Sequence, residues 1–222
     1  MVDPMYLRGR KDRNNRLGPT KQGAMASSHV DFLVLIERLR GHSIEYAKRH
    51  DGNVSPYALA AIPLMISMIR ALVIDCEVMT LRPELNLACL RKDGDIRAVL
   101  ERYGICDDLR KHAEYLVEIR NEITHPTHIS LGSKDNWPEY LRAIKDAGLL
   151  NSTNRGDSDY DFFHQLNSHR LLEWAMDVTW SVSKEILLSY RTSEKVHACE
   201  SFLQNFGFDG GVAGAQWNQP GN

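Results

Sequence analysis

A chain of 222 residues suits one domain with decorations, or one domain plus a small lobe. With 43% hydrophobic and 25% charged residues it has the composition of a soluble globular protein. The first 24 residues hold six Lys/Arg against two Asp, so they carry +4 and the remainder −6 of the total of −2. An acidic body weighs against a large nonspecific nucleic-acid surface, while leaving room for a small basic cleft.

Residues 1–27 read as a disordered basic arm or an expression-tag remnant, because they show no apolar period. The chain opens on no signal-peptide pattern. Cys76, Cys89, Cys106 and Cys199 lack CxxC spacing, so the expectation is reduced thiols in a cytoplasm, with neither a disulfide framework nor a zinc site.

The first predicted helix covers 28–50, with Phe32, Leu35, Ile36 and Leu39 on one face. DGNVSP interrupts, and a second helix runs from Pro56 to about Thr80. It is apolar nearly all round, which marks it as the central helix rather than a membrane span, with Pro63 set to kink its first turns. Short helical pieces fill 84–103, broken at Asp93-Gly94. A third long helix spans Cys106-Asp107 to His125-Pro126, since the residue before proline disfavours helix. NWPEYLRAIKDAGLL predicts a short amphipathic helix closed by Gly148. A long helix follows from about Tyr160 to Tyr190, with Leu171, Trp174, Val178, Ser181 and Ile186 to one side. A last helix is expected over 194–206, and a loose glycine-rich tail over 207–222. No strand alternation or repeat competes, so the expected fold is an all-α bundle of four or more helices with short accessory helices, a single domain over 28–206.

The third helix holds the most informative residue. Counting about 100° per residue, Leu109, Ala113, Leu116 and Ile123 form one apolar stripe, which Ile105 joins if the helix reaches back that far. Arg120 falls in its middle. An arginine there must snorkel, pair with an acid, or line a cleft. His125 stands about 140° round from it in the last turn, with Asn121 as its i−4 neighbour. A histidine at that place can transfer protons near neutral pH or cap the helix.

Arg120-Asn121-Glu122-Ile123-Thr124-His125 resembles the signature of the HEPN superfamily, an arginine and a polar residue followed by a histidine at the end of the third core helix. The resemblance covers roughly residues 29–191. It implies an all-helical domain, often a metal-independent RNase of defence or toxin–antitoxin systems, dimerised so that two motifs face one cleft. An antitoxin or regulatory protein is then a further expected partner. The implied chemistry is RNA cleavage by its own 2′-hydroxyl. His125 would transfer the proton and Arg120 would hold the phosphate oxygens, with Asn121 orienting the histidine or a phosphate. His128 and Asp75 are accessory candidates, Asp75 as a partner for Arg70 or Arg120. Glu122 is expected at the surface. No metal or cofactor is called for.

The competing readings are a noncatalytic helical binding module and a di-iron site. Trp137, Trp174 and Trp180 suit an interface as well as a core. The iron site would use Glu122/His125, Glu194/His197, Glu173 and either Glu37 or Glu45. Pro126 beside one ligand argues against the metal, and His50-Asp51 reads as a turn.

Overall fold

The computed structural model describes residues 28–50, 53–79, 95–125, 137–151 and 162–191. The described residues form an all-α bundle: α1 (Ser28–Arg49), α2 (Ala58–Met79), α3 (Asp95–Arg102), α4 (Asp107–Thr124), α5 (Glu139–Asp146), α6 (Phe162–Leu166) and α7 (His169–Arg191). Sheet-like pairing among them is limited to one antiparallel bridge, Val54 to Ser168. The stretches expected as a helix over 194–206 and as a tail over 207–222 lie outside the described residues, as do 80–94.

α2 is the axis of the core. Ile62, Met65, Met68 and Leu72 have no exposed surface, and the helix touches α1, α4 and α7. Ala58–Cys76 is long and apolar enough to cross a bilayer. Here 56% of it is buried, with α1, α4 and α7 packed against it, as the apolar pattern leads one to expect. Pro63 lies inside it and has no N–H to donate; the Pro63 carbonyl accepts the Ser67 hydroxyl at 3.0 Å.

Two short helices end in the same way. Gly104 and Gly148 have φ of 62° and 67°, the left-handed region that glycine enters without a Cβ clash. The Ile105 N–H reaches back to the Leu100 carbonyl, and the Leu149 N–H to that of Ile144, each at 3.0 Å. Ile105 and Leu149 are thereby turned into the core, and the chain enters α4 directly after α3.

Three sequence expectations need correction. Leu35 is 44% exposed and Leu33 packs against the core in its place. Ser181 is exposed while Val182 and Ser183 are buried, because α7 is covered on a broader arc than one stripe. The helix expected over 160–190 is two helices. Ser168 divides them: its Oγ accepts the Leu171 N–H at 3.2 Å, an N-cap bond that starts α7 afresh. Asn53 reinforces the break from the α1–α2 connection, taking the Arg170 N–H on Oδ1 at 3.1 Å and the His169 N–H on its carbonyl at 2.7 Å.

Candidate functional site

The expected stripe of α4 is in the core. Ala113 and Leu116 are 2% and 0% exposed, with Leu109 and Ile123 packed at the margin. Val117 and Ile119 widen it. The helices of the same chain therefore cover this apolar surface, and what the end of α4 offers outward is polar. Arg120 and Asn121 are half-buried; Thr124 and His125 are exposed.

The geometry of the motif follows from the helix end. His125 is the first residue outside α4, at φ −135° and ψ 71°, and its N–H still closes the last turn on the Asn121 carbonyl at 2.7 Å. The Thr124 hydroxyl turns back to the Arg120 carbonyl at 2.9 Å. With these two bonds holding the main chain, Arg120 Nη1 donates to Asn121 Oδ1 at 2.8 Å. The Asn121 amide oxygen thus meets the arginine of the same motif. The motif presents a half-buried guanidinium and an exposed imidazole at one helix end.

Compared with protein-family models, curated proteins and solved structures, the chain matches none.

Glu122 departs from expectation. It is 7% exposed, with the Tyr140 side chain of α5 close to it. Tyr115, Ile119 and Glu122 recur at i, i+4 and i+7 and form a second covered face. The Tyr115 hydroxyl donates to Glu139 at 2.9 Å, and Lys111 pairs with the same carboxylate at 3.0 Å. That lysine holds the Glu139 carboxyl below its ordinary range. Burial first, and then the Glu122 carboxylate, push the Tyr140 phenol well above its ordinary value. Tyr140 is itself 8% exposed, so its neutral form is the one this site accepts.

Asp75 meets His29 twice, at the ring Nδ1 at 2.6 Å and at the main-chain N–H at 3.3 Å. The acid near the end of α2 therefore anchors the start of α1, a partner that the sequence did not suggest. His128 lies outside the described residues. So do Glu194 and His197; of the other nominated iron ligands, Glu173 pairs with Arg40 and Glu45 with Lys48. Among the described residues no three His, Cys, Asp or Glu gather as a metal-binding group. Trp137 and Trp174 are buried in the core and Trp180 packs against it.

A polar cluster absent from the sequence reading joins α1, the start of α2 and α7. Ser43 Oγ donates to Ser55 Oγ at 2.6 Å and stands 2.9 Å from His169 Nδ1. His169 Nε2 is 3.9 Å from Glu173, which Arg40 grips through two bonds of 2.9 and 2.8 Å. That grip raises the Arg40 pKa, and burial, with Glu173 nearby, raises that of Asp177. The residues resemble a serine–histidine–acid set, but Ser43 and Ser55 have no exposed surface. A nucleophile needs access to substrate, so the cluster ties three elements together instead. The available signal was Ser43 falling seven residues after Ile36 on the inner face of α1.

Proposed function

We propose that this chain is a metal-independent endoribonuclease of the HEPN type, cytoplasmic and working as a homodimer whose two motifs share a cleft. The observation that carries the reading is the end of α4, where the half-buried Arg120 donates to Asn121 and His125 is exposed just past the last turn. RNA supplies its own nucleophile. The 2′-hydroxyl oxygen attacks the adjacent phosphorus, His125 takes its proton, and the bond to the 5′-oxygen breaks. A proton returned to that oxygen completes a 2′,3′-cyclic phosphate and a free 5′-hydroxyl. Arg120 stabilises the crowded phosphate, for which its planar fork is suited. The α4 apolar stripe is used within the chain, so the dimer contact at the motif is expected to be polar. An antitoxin or regulatory protein remains the expected further partner.

The test is cleavage of single-stranded RNA with EDTA present. Cyclic-phosphate or 3′-phosphate ends are expected, DNA is expected to survive, and His125→Ala and Arg120→Ala should each remove most activity. Cleavage unchanged in both variants would exclude the site.

The second reading is a noncatalytic helical module acting through a homodimer or a protein partner. Val34, Leu35 and Ile74 favour it, being large apolar residues at 46%, 44% and 36% exposure. A dimer with no His125-dependent cleavage of any RNA offered would support it.

A further inference from the structure

Four rings meet at the corner between the end of α1 and the start of α2. His42 and Tyr57 stack with centroids 5.6 Å apart at 29°. Tyr46 meets His50 at 4.3 Å and the edge of Tyr57 at 6.2 Å. His42, Tyr46 and His50 recur every four residues, so they form one ladder along α1, rising about 6 Å per step. The two histidines are exposed and the two tyrosines half-buried. Core packing does not require this arrangement, since neither Tyr46 nor Tyr57 belongs to the apolar core.

Charge flanks the ladder. Arg38 lies one step before His42, Arg49 follows Tyr46 in the last turn, and both are exposed. Glu45 is engaged by Lys48 at 3.2 Å, which offsets the acid on this side.

We infer that this corner is a stacking platform for unpaired bases of single-stranded RNA. Aromatic faces accept any base, and cations beside them track the backbone, the combination that single-strand binding uses. The ladder from His42 to His50 spans about 12 Å, enough for two or three bases of an extended strand. The inference deepens the proposed function, on which it rests for the choice of RNA. It assigns the holding of substrate to α1 and its cleavage to the end of α4.

The experiment uses full-length His125→Ala protein, which retains the platform, and a labelled 12-nucleotide oligo(A) RNA. A second 12-mer carries the same phosphates without bases. Fluorescence anisotropy should show oligo(A) binding much more tightly than the abasic strand. Adding Tyr46→Leu should weaken oligo(A) binding roughly five- to hundredfold, the range of one lost base–aromatic stack, and leave abasic binding unchanged. Tyr46→Phe should restore it, which separates the ring from any structural role of the residue. Equal binding of the two strands, or no effect of Tyr46→Leu, would overturn the platform. The catalytic reading fails separately: base-dependent binding with no cleavage by the unsubstituted protein keeps the platform and sinks the nuclease. His125-dependent cleavage with affinity and KM untouched by Tyr46→Leu does the reverse.

Discussion

Replacing Ser43 by alanine tests whether the buried cluster is a tie or a catalytic set. The hydroxyl donates to Ser55 Oγ at 2.6 Å and bonds His169 Nδ1 at 2.9 Å. Ser55 has no exposed surface, so its hydroxyl loses a partner where water cannot replace it. A buried polar group stranded in this way costs about 1–3 kcal/mol. The His169 side chain is 21% exposed and can turn to water, so its loss adds less. Alanine is the better helix former by about 0.5 kcal/mol, which offsets a small part. A net loss of about 1–2 kcal/mol follows, or roughly 2–8 °C in Tm for a domain of this size. Thermal unfolding with urea titration measures it. Ser43→Ala/Ser55→Ala should be less destabilised than the two single changes summed, since it removes both ends of one bond. RNA cleavage should survive. Strict additivity with unchanged stability would refute the tie, and loss of cleavage in a folded Ser43→Ala protein would make the serine catalytic after all.

Gly41 is exposed in the interior of α1 and an added Cβ would meet nothing within 4 Å, so Gly41→Ala should stabilise the protein by about 0.5–1 kcal/mol; a loss in a urea titration would mean that this face is covered in solution. The raised Tyr140 pKa makes stability pH-dependent: above pH 10 the unfolded phenol ionises while the buried one cannot, so folding stability should fall by up to about 1.4 kcal/mol per pH unit. Tyr140→Phe should remove that share of the slope, and identical alkaline profiles for the two proteins would contradict the burial. His125→Ala should change stability by less than about 0.5 kcal/mol because its side chain is exposed, and a large drop in Tm would recast the residue as structural. Light scattering at micromolar concentration should give a dimer, and a monomer of 25.3 kDa alone would count against the shared cleft.

The bundle was legible because helix signals are local. The 3.6-residue period, Pro126 and Gly148 depend on neighbours along the chain, and α1, α2, α4 and α5 lie where those signals put them. The candidate motif was legible for the same reason: Arg120, Asn121 and His125 share one helix end, and their main-chain bonds stay within it. Pairings between distant segments were decided by the tertiary structure. Glu122 looks like a surface acid until Tyr140 of α5 comes beside it, and Asp75 meets His29 from 46 residues away. The break before α7, begun by the local Ser168 cap, is reinforced by Asn53 reaching Arg170, 117 residues distant. A periodic pattern tells which face of a helix needs covering, but the partner that covers it comes from another part of the chain. Ser43, His169 and Glu173 therefore form a cluster only once α1 and α7 are packed together.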